Sequence, residues 1–210
     1  MNTKLDWYIK DIESDFQKIS KSRKVILLQL NNYLLRKYKK REKINLIFIC
    51  THNSSRSHLA QIWASTGINY YGLNSIKTFS GGTSITEFNK RVINILRKVG
   101  YKINNLTGNN PHYRVSFSKN IRSLECFSKK YDSLFNPNKN FATIMTCSNA
   151  NEACPFIPKA EERIFLPYDD PKLFDGTIGE EKYYEKTCKK IATEMLFLMK
   201  TFQKNRGVIF

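Results

Sequence analysis

A short apolar run at residues 44–49, followed at once by a loop and a helix, constrains the fold of this chain more than any other feature. Five of its six residues are apolar, which is typical of a strand buried on both faces of a parallel sheet. Residues 57–71 then predict a helix whose apolar stripe consists of Leu59, Ile62 and Trp63. A buried strand that leads through a short loop into a helix is the repeating unit of α/β folds.

Strands and helices alternate along the rest of this region. Further strands are predicted at residues 75–80, 141–146 and 163–166, and helices at residues 89–99 and 180–202. Between them, an insert at about residues 104–140 holds two segments in which polar and apolar residues alternate, which predicts a small β-hairpin. We therefore expect an α/β domain with a mostly parallel, four-stranded central sheet.

Residues 1–43 differ in pattern from the rest of the chain. Their apolar residues recur at helical spacing between charged ones: Ile12, Phe16, Ile19, Ile26, Leu30 and Leu34. The segment ends on residues 36–43, where six of eight residues are cationic; such a run is typical of a solvated helix end and linker, and contact with a polyanion is the alternative. We expect a basic helical extension over residues 1–43 and the main domain over residues 44–210.

Composition narrows the classes of function. The chain has 35 Lys and Arg against 18 Asp and Glu, a net charge of +17, which raises the question of a nucleic-acid partner. A hydrophobic content of 41% excludes a disordered chain, and no apolar run approaches the length of a membrane span. The N-terminus lacks the apolar core of a secretory signal, and five cysteines is an odd number, so we expect reduced thiols and a cytoplasmic protein.

The residues with the clearest chemistry lie in the loop after the first predicted strand: Cys50, Thr51, His52, Asn53, Ser54, Ser55, Arg56 and Ser57. The carboxyl end of a parallel strand is where α/β sheets bind ligands, and the start of the next helix offers free N–H groups to a tetrahedral oxyanion. The same field favours a thiolate at Cys50. Arg56 can hold two oxyanion oxygens with its planar guanidinium, and Ser57 can donate a hydrogen bond to the thiolate.

This loop resembles the C-x5-R-[ST] phosphate loop of the low-molecular-weight protein tyrosine phosphatases and of their relatives, the thioredoxin-coupled arsenate reductases. Ser80-Gly81-Gly82-Thr83 and the following Phe88-Asn89-Lys90-Arg91 resemble the family's second strand and second helix, and Tyr168-Asp169-Asp170-Pro171 resembles its Asp-Pro loop. The resemblance covers about residues 44–206 and implies a three-layer, flavodoxin-like α/β sandwich. The N-terminal extension and the insert have no counterpart in the small family members.

By its position in this family, Asp170 is the general acid that protonates the leaving oxygen, and Asp169 is its nearest rival. Cys147 and Cys154 resemble, in spacing and setting, the two resolving cysteines of the arsenate reductases; the alternative is a pair of unrelated buried thiols. No CxxC motif completes a four-ligand zinc set, so we expect no metal and no cofactor. Cys126 and Cys188 are expected to be packing residues.

The resemblance implies an enzyme that attacks a tetrahedral oxyanion with Cys50. Cys50, Cys147 and Cys154 follow one another in the order in which such a relay uses them. This arrangement favours an arsenate reductase that passes the disulfide of Cys147 and Cys154 to a thioredoxin. The alternative is a phosphatase that hydrolyses phosphotyrosine. A polyanion-binding protein on the same fold is a more remote alternative, and nucleic acid is not the expected partner.

His52 stands where the family commonly has Gly, so it either adopts a strained backbone or lines the mouth of the site.

Overall fold

A computed structural model describes residues 3–105, 108, 110–118, 122–153 and 156–207. Its central sheet consists of strands β1 (Ile44–Cys50), β2 (Ile76–Gly82), β6 (Phe141–Met145) and β7 (Ala160–Phe165). Their order is β2-β1-β6-β7, and each neighbouring pair is parallel. The predicted four-stranded sheet is therefore confirmed, and it is parallel throughout.

The helices are α1 (Thr3–Ser14), α2 (Lys21–Lys39), α3 (Arg56–Tyr70), α4 (Lys90–Val99), α5 (Ser148–Ala153) and α6 (Glu180–Arg206), and short 3-10 turns lie at Phe16–Lys18 and Pro171–Phe174. Helix α5 was not predicted, because six residues are too few to show a helical period. In the described part of the chain, every helix is too short or too polar to cross a membrane.

Strand β1 is buried along its whole length because apolar layers cover both of its faces. Leu46 and Phe48 point into the larger core, which includes residues of α2, α3 and α6. Ile47 and Ile49 point into a smaller core on the opposite face, together with Cys50 and residues near α5. The result is the expected three-layer sandwich, with the end of β1 at its centre.

The insert forms a three-stranded antiparallel sheet rather than the two-stranded hairpin that the sequence predicts. Its strands are β3 (Lys102–Asn105), β4 (Tyr113–Ser116) and β5 (Leu124–Cys126), in that order. The extra strand, β3, follows Gly100, which ends α4 with a left-handed φ of 116°. Four residues with a single buried side chain leave too little alternation for β3 to be predicted.

The N-terminal helices pack on the main domain through apolar side chains of α1 and α2, among them Leu5, Ile9, Leu30 and Leu34, all fully buried. Polar contacts join α2 to strand β7. Lys37 donates to Glu161 at 2.7 Å, and Arg36 donates to Glu162 at 2.6 Å. Part of the basic run at residues 36–43 therefore neutralises carboxylates of the same chain.

A largely buried ion pair forms a second link between α2 and the domain. Arg23 binds both carboxylate oxygens of Glu194 on α6, through Nε at 2.8 Å and Nη2 at 2.6 Å. It also donates to the carbonyl of Pro167 at 2.9 Å, and the hydroxyl of Tyr168 donates to Glu194 at 2.7 Å. The extension thus contacts the segment that leads to Asp170.

Breaking this pair should cost far more than breaking an exposed one. Arg23→Met leaves the 3% exposed Glu194 without its counter-charge, which we expect to lower the free energy of unfolding by about 3 kcal/mol. Arg36→Met is the matched control: the Arg36 side chain is 57% exposed, and its pair with Glu162 should contribute less than about 1 kcal/mol. Urea unfolding measures both values, and equal losses would contradict the role given to Arg23.

Candidate active site

Cys50 is the last residue of β1, and α3 begins six residues later at Arg56. Because β1 lies between β2 and β6, the loop of residues 51–55 leaves the sheet at the crevice where parallel α/β sheets bind ligands. The thiol is buried, and its Sγ lies 3.1 Å from the Oγ of Ser57 in the first turn of α3. The structure therefore brings together the thiol and the hydroxyl that the sequence singled out.

The loop is held in shape by the side chain of Asn53, which is fully buried. Its Nδ2 donates to Ser57 Oγ at 2.9 Å and lies 3.2 Å from Nδ1 of His58, while its Oδ1 accepts from the backbone N–H of Lys129 at 3.0 Å. Asn53 has a φ of 45°, in the left-handed region that asparagine enters more readily than most residues. The hydrogen bonds hold it there.

Of the two alternatives for His52, the structure does not support the strained backbone: in the described residues of the loop, the positive φ falls on Asn53, one position later. His52 is exposed, and its carbonyl accepts from the hydroxyl of Ser128 at 2.8 Å. The other expectation, that His52 lines the mouth of the site, stays a prediction. Ser128 and Lys129, which follow β5, were not identified from the sequence, because no local signal links them to a loop more than 70 residues away.

The end of β2 packs directly against the loop. The carbonyl of Thr51 accepts from the backbone N–H of Ser84 at 2.9 Å and from the hydroxyl of Thr83 at 3.2 Å. A Cβ added to Gly82 would lie 2.8 Å from the carbonyl oxygen of Thr51 and 2.7 Å from the backbone N of Asn53. Only glycine leaves room for this approach, which gives the Gly81-Gly82 pair of the sequence a physical reason.

Arg56 and Asp170 form an ion pair at the edge of the site. Nη2 of Arg56 donates to Oδ2 of Asp170 at 2.6 Å, and Nη1 donates to the carbonyl of Tyr168 at 3.1 Å. The carboxylate of Asp170 also caps the 3-10 turn by accepting from the backbone N–H of Lys172 at 3.2 Å. Asp169 instead points away, with 93% of its side chain exposed, so Asp170 is the acid that faces the loop.

Cys147 lies beside the loop, two residues after the end of β6, and is 1% exposed. Its Sγ is 3.4 Å from Oγ1 of Thr51, the neighbour of Cys50, and accepts from the backbone N–H of Ala150 at 3.4 Å. Cys50 and Cys147 share the smaller apolar core. Cys154 lies outside the described residues.

The two cysteines expected to be packing residues are both fully buried. Burial raises the pKa of Cys126 and that of Cys188 to about 12. The indole N–H of Trp63 donates to the Sγ of Cys188 at 3.3 Å, which fixes that thiol in the core. Neither thiol has the environment of a reactive cysteine.

His58 supports Asn53 from the interior. The imidazole stacks on Phe88 with the ring centroids 4.2 Å apart, and it is completely buried. Burial, together with the nearby cation of Lys129, holds the pKa of His58 well below its ordinary value. The ring is therefore neutral near pH 7, and its Nδ1 is the acceptor for the Asn53 amide.

The close approach at Gly82 gives a test of the loop geometry. Gly82→Ala places a methyl group against the backbone of residues 51 and 53, which we expect to weaken binding of inorganic phosphate at least about ten-fold. Gly207→Ala is the control, since its nearest new contact is 3.7 Å away. Isothermal titration calorimetry measures both, and unchanged phosphate affinity in Gly82→Ala would disprove this geometry.

The buried neutral His58 predicts a pH dependence of stability. Below pH 6.5 the unfolded chain takes up a proton that the folded state excludes, so stability is lost as the pH falls. Between pH 7 and pH 5 we expect the wild type to lose about 2 kcal/mol more than His58→Gln in the free energy of unfolding. His52→Gln, which removes an exposed histidine, should follow the wild type; parallel curves for wild type and His58→Gln would rule this out.

Comparison with known proteins agrees with this geometry. A model of the low molecular weight phosphotyrosine protein phosphatase family matches residues 45–114, which include Cys50 and Arg56 but end before Cys147 and Asp170. An arsenate reductase of Brevibacillus brevis is 30% identical over 129 residues, which are 61% of this chain and 78% of that protein. Arsenate reductase 2 of Staphylococcus haemolyticus is 27% identical over 130 residues, 62% of this chain and 80% of that protein.

A solved structure shares the fold. The low-molecular-weight phosphotyrosine phosphatase of Vibrio cholerae O395 superposes with a TM-score of 0.53 at 14% identity, over 77% of this chain and 97% of that chain. This chain matches more than two thirds of the Brevibacillus protein, and the family model matches the segment that contains the Cys50 loop. The chain therefore belongs to the low-molecular-weight phosphatase superfamily, within its arsenate reductase branch.

Proposed function

We propose that this protein is a thioredoxin-coupled arsenate reductase in which Cys50 is the nucleophile and Cys147 and Cys154 carry the oxidising equivalents away. The observation that supports this assignment over a plain phosphatase is the position of Cys147. Its thiol is buried against Thr51, one residue from Cys50, and both thiols lie in the same apolar core. Hydrolysis of a phosphate ester by the Cys50 loop requires no second thiol, whereas the disulfide relay does.

The first step is shared with phosphatases. The thiolate of Cys50, stabilised by the Ser57 hydroxyl, attacks the arsenic atom of an arsenate held by the backbone N–H groups of the loop. In the structure Arg56 is paired with Asp170. The arriving oxyanion replaces Asp170 as the partner of the guanidinium, which leaves the Asp170 carboxyl group free. Asp170 then protonates the departing oxygen, which leaves as water.

The second step changes the oxidation state. The thiolate of Cys147 attacks the Sγ of Cys50, the electron pair of the sulfur–arsenic bond stays on arsenic, and arsenite departs. Cys154 next attacks the Cys147 sulfur of the new disulfide, which frees Cys50 and leaves a Cys147–Cys154 disulfide. A thioredoxin dithiol reduces that disulfide. This relay needs reduced thiols, which is why we assign the protein to the cytoplasm.

Hydrolysis of phosphotyrosine is the second candidate. It uses the same set of Cys50, Arg56, Asp170 and Ser57, whose contacts do not distinguish phosphate from arsenate. In this case a phosphocysteine forms on Cys50, and water activated by Asp170 releases phosphate. A phosphate or arsenate substrate is consistent with the family in either case.

Cysteine substitutions separate the two functions. Cys147→Ser and Cys154→Ser should each reduce arsenate-dependent oxidation of thioredoxin by at least about 100-fold, because the disulfide relay cannot form. Both should still hydrolyse aryl phosphates, since that reaction needs only the Cys50 loop. Stopped assays of thioredoxin oxidation and of phosphate release measure the two activities on the same preparations.

Two controls complete this experiment. Cys126→Ala removes a buried thiol outside the relay and should keep both activities, whereas Cys50→Ser should lose both. If the wild type hydrolyses aryl phosphates well and never oxidises thioredoxin, the reductase assignment is wrong. If Cys50→Ser keeps either activity, the choice of nucleophile is wrong.

A further inference from the structure

A cavity of about 820 Å³ lies against the outer strand β2, apart from the Cys50 loop. Its walls are β2, helix α3, the small antiparallel sheet and the segment after that sheet. Cys50, Arg56 and Asp170 are not among its lining residues. Its volume is within the usual range for sites that bind small molecules.

Positive charge dominates this cavity. Four cationic residues line it, Lys77, Arg114, Arg122 and Lys129, against a single carboxylate, that of Glu125. The carboxylate is already bound to Nδ1 of His112 at 2.6 Å. Within the described ranges, none of the four cations forms an ion pair, although many other cations of the chain do.

Lys129 is the unusual member of the set. It is only 6% exposed, and burial lowers the pKa of its ammonium group. Nζ lies 4.6 Å from the centre of the Phe127 ring, and no carboxylate of the described chain accepts from it. Glu125 attracts this charge without accepting a hydrogen bond from it. A buried cation that no carboxylate contacts is costly, and an anion that enters the cavity offsets that cost.

The cavity also offers aromatic surface. Phe79 of β2, Phe127 and Phe135 line it, and Phe135 is 61% exposed although it is a large apolar side chain. The rings of Phe127 and Phe135 meet edge to face, with their centroids 5.0 Å apart. Phe127 is only 7% exposed and its ring is stacked on His112, so Phe135 is the ring that a ligand can reach. Cations beside such an exposed ring suit a ligand that has both phosphate groups and a flat ring.

We propose that this cavity is a second binding site, separate from the Cys50 loop, for a small phosphorylated ligand with an aromatic ring, of the nucleoside diphosphate class. Lys77, Arg114 and Lys129 bind the phosphates, and the exposed ring of Phe135 contacts the base. The backbone of Lys129 also donates to Asn53 and accepts from the N–H of Gly82 at 2.8 Å, so one residue joins this site to the oxyanion loop.

Calorimetric titration with ADP tests this site directly and does not depend on the proposed activity. Lys77→Gln/Arg114→Gln removes two exposed cations of the cavity and should weaken ADP binding at least about ten-fold. Lys139→Gln/Lys204→Gln removes the same charge from exposed positions outside the cavity and should change it by less than about two-fold. Unfolding curves check that both double variants are folded.

Three further titrations show where the ligand binds and which of its groups are recognised. Arg56→Ala, which disables the oxyanion loop, should bind ADP as the wild type does. Pyrophosphate, with charge but no ring, and adenosine, with a ring but no charge, should each bind more weakly than ADP. Loss of ADP binding in Arg56→Ala, equal losses in the two double variants, or no ADP binding by the wild type would each overturn the proposal.

Discussion

The Cys50 loop keeps its shape because the amide of Asn53 is hydrogen-bonded on both sides. Its Nδ2 reaches Ser57 and His58 in the first turn of α3, and its Oδ1 accepts from the Lys129 backbone. A left-handed asparagine costs free energy unless its surroundings hold it there, and a buried amide costs more when it is unsatisfied. The Cys50–Ser57 contact depends on this turn, since Ser57 Oγ is bound by both Asn53 and the thiol.

A second series of contacts runs from the N-terminal extension to the candidate acid. Arg23 binds Glu194, and Glu194 accepts from the hydroxyl of Tyr168, whose ring lies 4.9 Å from the Arg23 guanidinium. The carbonyl of Tyr168 in turn accepts from Arg56, which pairs with Asp170. Glu194 therefore contacts both Arg23 of the extension and Tyr168 of the Asp-Pro loop. This buried carboxylate connects helix α2 to the site.

The cationic residues behind the net charge of +17 lie in several different environments of the folded protein. Arg36 and Lys37 neutralise glutamates of β7, and Arg23 neutralises a buried glutamate of α6. Arg56 pairs with Asp170 beside the Cys50 loop, and four further cations line the cavity beside β2. Charge that suggested a nucleic-acid partner from composition alone is thus partly internal and partly gathered at two sites that suit small anions.

Local sequence was sufficient to predict most of the central sheet and the thiol loop. The nearly continuous apolar run of β1 favours burial on both faces, and the Cys50 loop with Arg56 and Ser57 comes directly after it. The parallel sheet and the thiol site were therefore predictable together. Strand β3 and helix α5 were missed because four and six residues show no clear period. The tertiary structure alone decided that Lys129 and Ser128 support the loop, that Cys147 lies beside Thr51, and that four cations meet in one cavity. These contacts join residues far apart in the chain, and no local pattern encodes which distant backbone will supply a hydrogen bond.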